Sequence, residues 1–258
     1  MLPGIIPFVA GAAAVGGGAP VGTAFGTITN LGTGSDPGPS GSRAVINVTA
    51  NVGDLVVVIY ATANSGASGA AISISVSDTS TEAGAANVYT QRLQVNYSPG
   101  GVANDGITLT FFTSVLTRAI TADNINASFS PSSAQGNAVA AIGFRPSAGK
   151  TASYVGAAPS GVTGNSANPQ ITTNTILNGE TVVCAMATEG NATTTGDSDT
   201  NDGTWSSLYG VTSSGTTDAG QVRTQHKFLT ADSTQIWNPT LSAAQDHALG
   251  YIVIKASL

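Results

Sequence analysis

Gly53-Asp54-Leu55-Val56-Val57-Val58, followed by Ala61-Thr62, recurs further along the chain as Gly179-Glu180-Thr181-Val182-Val183-Cys184, followed by Ala187-Thr188. Both pairs stand 126 positions apart, from 53 to 179 and from 61 to 187. Other fragments repeat around them in the same order. Ser77-Asp78-Thr79 answers to Ser198-Asp199-Thr200, and Ala134-Gln135 with Ala138 answers to Ala244-Gln245 with Ala248. The halves close on Ile142-Gly143-Phe144 and Ile252-Val253-Ile254. The offset narrows to 110 between Ala134 and Ala244, as shorter loops in a second copy require. A duplicated unit with unlike loops suits a built object better than a single reaction centre.

The run from Leu55 to Ile59 is apolar without alternation, the pattern of a strand buried on both faces. Elsewhere short runs rich in Val, Ile, Thr, Phe and Tyr are broken by Gly, Asn, Ser and Pro, which reads as strands joined by turns. The first copy is expected to hold strands near 44–49, 54–63, 71–76, 87–96, 106–115, 124–129 and 137–146. Counterparts in the second fall near 169–174, 180–187, 204–211, 221–229, 235–241 and 247–256. Nothing reads as a long amphipathic helix, although Thr121-Ala122-Asp123 and Thr230-Ala231-Asp232 are expected to open short helical turns.

Regular strand spacing points to a sandwich or jelly roll. The expected fold class is all-β: two tandem jelly-roll-like β-sandwich modules from an internal duplication, with an extended N-terminal arm. The expected boundaries are 1–25 for the arm, 26–150 for the first sandwich and 151–258 for the second. Residues 147–168 read as the join, and Gly32 to Ser42 as the matching lead-in loop of the first copy. One sandwich with half the chain in each sheet is the alternative. Two modules are preferred because each half has enough strands for its own sandwich.

Composition narrows the function. Charged residues make up 9% of the 258, against ~25% in an ordinary soluble domain. A surface of Ser, Thr, Asn, Gln and Gly repels neighbours poorly, which suits a protein packed in an assembly. Net charge is −6 and the eight basic residues are scattered singly, so there is no phosphate-binding face for nucleic acid. Cys184 is the single cysteine, inside an apolar strand, and reads as a small buried hydrophobe. The first twenty residues, MLPGIIPFVAGAAAVGGGAP, lack the positive start of a secretion signal and are too short and too broken by Gly and Pro to span a membrane. They read as an apolar docking arm, with Ile5, Ile6, Phe8 and Val9 as the partner-docking residues, because exposed apolar side chains call for a covering surface.

Catalytic constellations are missing from the sequence. His226 and His247 have no nucleophile and carboxylate at a motif spacing. His247 follows Asp246, but adjacent strand residues face opposite ways. His226, in Gln225-His226-Lys227, is expected to face solvent. Asp197-Ser198-Asp199-Thr200-Asn201-Asp202-Gly203 approaches a calcium loop, yet Gly falls one place late and Leu208 stands where the closing Glu belongs. A self-capping Asx-rich turn is the simpler reading. The expectation is therefore no enzyme, no metal and no cofactor. Trp205, Trp237, Tyr89, Tyr97 and Tyr209 are the candidates for a sugar-stacking platform, but most read more simply as core or rim packing and Trp237 as a filler of a locally different core. A glycan-binding role would rest on Trp205 or Tyr209.

Gly-Asp or Gly-Glu before an apolar strand, then a Ser-Asp-Thr turn, then an aromatic-bearing strand (Asn87-Val88-Tyr89, Ser207-Leu208-Tyr209) resembles β-sandwich modules of tailed-phage virion proteins. Such modules occur in tail fibres, head fibres and capsid decorations. The resemblance covers roughly 44–147 and 169–257. It implies a non-enzymatic structural role in the virion, with capsid or tail proteins as partners, a homo-oligomeric state and a host-surface glycan as a further partner. A secreted adhesin or glycan-binding β-sandwich is the alternative.

Overall fold

β-Branched and aromatic runs become strands throughout, in a computed structural model that describes residues 25–36, 42–63, 70, 72–101, 105–130, 136–158, 161–213 and 219–258. The first half contributes β1 (Phe25–Asp36), β2 (Ser42–Ala50), β3 (Leu55–Ala63), β4 (Ser73–Asp78), β5 (Thr90–Tyr97), β6 (Ile107–Val115), β7 (Ile120–Ser130) and β8 (Asn137–Pro146). The second half adds β9 (Thr151–Ala157), β10 (Val162–Ser166), β11 (Ile171–Ile176), β12 (Thr181–Glu189) and β13 (Thr194–Thr195). It continues with β14 (Tyr209–Thr212), β15 (Gly220–Phe228), β16 (Ser233–Trp237), β17 (Thr240–Leu241) and β18 (Gln245–Ser257). The protein is all-β and antiparallel. Among the described residues no helix is long and apolar enough to cross a membrane.

The two halves share one strand order. The large sheet of the first is β1-β8-β3-β6-β5, and that of the second is β10-β18-β12-β15-β14, with β9 continuing the β10 edge along β18. Over them lie β2-β7-β4 in the first half and the small pairs β11-β16 and β13-β17 in the second. The repeated sequence marks the same turn in both. Gly53 and Gly179 each sit at φ 86°, a left-handed conformation that glycine adopts without strain. The Gly53 amide donates to the Leu116 carbonyl at 2.8 Å, and the Gly179 amide to the Leu229 carbonyl at 2.9 Å. The Asp54 and Glu180 carboxylates accept from the Asn51 and Leu177 amides respectively. The acid after each glycine thus closes its own turn, which is why Asp and Glu interchange there.

The unalternating apolar runs have a physical cause: four layers of sheet. In β3, Leu55, Val57, Ile59, Ala61 and Ala63 enter one core, while Val56, Val58 and Tyr60 enter another. In β12, Val183, Ala185 and Ala187 join the first of these cores, and Val182, Cys184 and Met186 join a third. The middle core lies between the two large sheets and draws side chains from both halves. Across it β1 lies over β14, β8 over β15, β3 over β12, and β5 over β18. The order runs forward in one sheet and backward in the other, as a pseudo-two-fold axis along the strands requires. Alanines 61, 63, 138, 140, 185, 187 and 248 thin this layer.

Several expectations need correction. Residues 147–168 are more than a join, since they contain β9 and β10, and Gly32–Asp36 belongs to β1. These are edge strands with half-exposed faces, so they lack the apolar signature of the central ones. Thr121-Ala122-Asp123 opens no helical turn. It lies in β7 at an irregularity of the β2 pairing, with Ala122 at φ 56°. The expected strand at 235–241 is broken at Asn238-Pro239 into β16 and β17.

Candidate functional site

The topology gives the molecule two unlike ends. At the base lie the two glycine turns, the start of β1 at Phe25, paired with Pro146, and the end of β18, where Ser257 pairs with Thr151. Exposed apolar side chains gather on the turns and strand ends there: Val52, Val88, Val115, Leu177 and Leu258. Phe25 turns inward and meets the Phe144 ring edge-on at 5.5 Å. The docking residues expected from sequence, Ile5, Ile6, Phe8 and Val9, lie outside the described residues.

The far end carries charged groups among its described residues. Asp105, Glu189 and Asp246 come together from three strand ends, with carboxylate oxygens within 4.8 Å of one another. The Gly106 amide donates to Glu189 at 2.8 Å, tying the two halves together. These three oxygens are of the type that holds a hard cation such as Ca²⁺. Sequence reading missed the trio because its members stand far apart in the chain. Only the pairing of the large sheets unites them.

In the Asp197–Gly203 loop, the Asp197 and Asp199 carboxylates are taken up by donors of the protein itself. Asp197 accepts from the Asp199 and Asn238 amides, and Asp199 from the Asn201 amide. The cation beside Asp199 is Lys227, whose fully buried ammonium donates to Asp199 at 2.7 Å and to Gln235 at 2.8 Å and lies 5.1 Å from the Trp205 ring centroid. Burial alone would raise the Asp199 carboxyl, but hydrogen bonds from Lys227, the Trp205 indole and the Asn201 amide outweigh it and hold the group below its ordinary range.

Trp205 is buried with its Nε1 on Asp199 at 3.1 Å, so it offers no stacking face for a sugar. Trp237 is fully buried, donating to Gln225 at 3.0 Å. His226 does not face solvent. It is partly buried at the margin of the middle core, its ring 5.6 Å from that of Phe144, and burial pulls its pKa down to about 4. Cys184 is fully buried, and burial pushes its thiol well up, so it stays protonated and inert.

A polar cleft opens on the outer face of the second half. Its volume is about 270 Å³, and its lining includes Asn191, Thr193, Thr194, Tyr209, Thr212 and Arg223. Tyr209 is half-buried, accepting the Gly32 amide through its hydroxyl at 2.9 Å, and burial raises its pKa. No family model, curated protein or solved structure matches the chain.

Proposed function

We propose that this protein is a non-enzymatic structural component of a tailed-phage virion, of the fibre or decoration kind, docked through its N-terminal arm. The observation that carries this reading is the polarity of the molecule. The described chain begins with Phe25 at the base, where Val52, Val88, Val115, Leu177 and Leu258 are exposed, and the apolar segment precedes Phe25 in sequence. A partner covering both would remove them from water together. The weakly charged surface suits close packing with further copies, and the matched halves suit descent from one module written twice.

The test is deletion of residues 1–24, outside every strand described. The shortened protein is expected to keep its melting temperature and lose at least nine-tenths of its incorporation into particles, read by quantitative mass spectrometry of purified virions. Normal incorporation would overturn the docking role. A secreted adhesin or glycan-binding protein is the second reading, favoured by the polar cleft around Arg223 rather than by the buried Trp205.

A further inference from the structure

The cleft stands where the two halves, otherwise alike, have diverged. Leu116 and Leu229 occupy the same place in the paired glycine turns, which sets β6 and β15 in register at an offset of 113. Arg223 therefore answers to Thr110. The cross-strand neighbours are Gly210 for Arg223 and Gln94 for Thr110. In the first half the Gln94 side chain closes this place, donating to the Ile72 carbonyl at 2.7 Å and to the Thr110 hydroxyl at 3.3 Å. In the second half Gly210 puts no side chain there, and a cation replaces the threonine. Glycine is obligatory, since its φ is 144° and a Cβ would sit 2.0 Å from the Val222 carbonyl oxygen.

Arg223 is only partly satisfied. Its Nη2 donates to the Thr212 hydroxyl at 2.9 Å, and among the described residues no carboxylate pairs with it. Burial lowers its pKa, yet a guanidinium stays charged at any ordinary pH. A half-buried cation without a counter-charge is destabilising by itself. Its planar fork matches a carboxylate through two parallel hydrogen bonds. The floor around it is already fixed, because Gln221 donates to the Ala192 carbonyl and to Thr212 and accepts from Thr194. The rim offers the Asn191 amide and the Thr193 hydroxyl, while the Tyr209 ring turns the other way, onto the middle core. At about 270 Å³ the space falls just below the ~300 Å³ at which pockets for drug-sized ligands begin, which suits a single ring.

We propose that this cleft binds the acidic unit of a glycan, with Arg223 holding the sugar carboxylate and the surrounding amide and hydroxyl groups facing the ring. The site gives the glycan reading a definite place and is independent of how the protein is anchored. A failed arm-deletion test would leave it untouched.

The experiment is calorimetric titration of the full chain with glucuronate, galacturonate and N-acetylneuraminate, alongside glucuronamide, glucose and inorganic phosphate. At least one acidic sugar is expected to bind, with phosphate and the uncharged sugars tenfold weaker or more. Arg223→Gln should abolish that binding without lowering the melting temperature. Absence of binding by all three acids would overturn the proposal. So would glucuronamide matching an acidic sugar, or phosphate matching it, the latter marking a site for free anions. If Arg223→Gln fails to fold, the contrast between glucuronate and glucuronamide on the native chain decides alone.

Discussion

Residues 151–258 produced without residues 25–150 will not persist as a folded monomer, and neither will residues 25–150 alone. Either half by itself turns one face of its large sheet to water. For the first half that face carries Leu55, Val57, Ile59, Ile107, Leu109, Phe111, Ile142 and Phe144, all buried against the other half. At roughly 1.5–3 kcal/mol for each of these eight side chains, the loss is on the order of 12–24 kcal/mol. That exceeds or matches the ~5–15 kcal/mol that holds a typical domain folded. Because the two faces meet about a pseudo-two-fold axis, each isolated half is expected to aggregate or to pair with itself through the same face. Analytical ultracentrifugation checks this. A monomeric half with a cooperative unfolding transition would contradict it.

Asp199→Ala is expected to cost about 3–5 kcal/mol, at the upper end of single-residue effects, because it strands the Lys227 ammonium without a counter-ion. Lys227 has no exposure at all, and its remaining partners are neutral: the Gln235 carbonyl and the Trp205 ring. Lys227→Met should cost much less, since it removes the buried charge and fills the space with an apolar chain of similar length. Urea midpoints of the two variants give the comparison. Equal losses would contradict the view that a stranded buried charge dominates the cost. The folded Asp199 pKa lies below its unfolded value, so the pair's contribution is complete above the unfolded value and fades as pH falls through the folded one.

The sequence carried the strands with the clearest chemistry. Leu55–Ala63 is buried on both faces, and the unalternating apolar run that opens it is legible in a single chain. Ile107–Val115 is also buried on both faces, although its threonines alternate with Leu109 and Phe111 and read as a half-buried strand. The Gly53-Asp54 and Gly179-Glu180 repeat was also legible, because a turn that needs a left-handed glycine and a carboxylate cap leaves little choice. What covers the second face was not. Val57 and Val183 read alike whether the partner is a loop, another copy or the other half of the chain. The edge strands β1, β9 and β10 escaped notice for the opposite reason, being rich in Gly, Ser, Thr and Asn with little alternation. The cleft was invisible because Arg223 means nothing until Gly210 is known to lie beside it.

Both tryptophans, Trp205 and Trp237, belong to the second half, so their fluorescence reports on that half alone. Ile59 belongs to the first half and lies in the middle core. Denaturant unfolding of Ile59→Ala, followed by tryptophan fluorescence and by far-ultraviolet circular dichroism, therefore asks whether the four layers form one body. The account predicts a single coincident transition, shifted by about 2–5 kcal/mol in both signals. A tryptophan transition left at its original midpoint, while the circular dichroism splits in two, would contradict it.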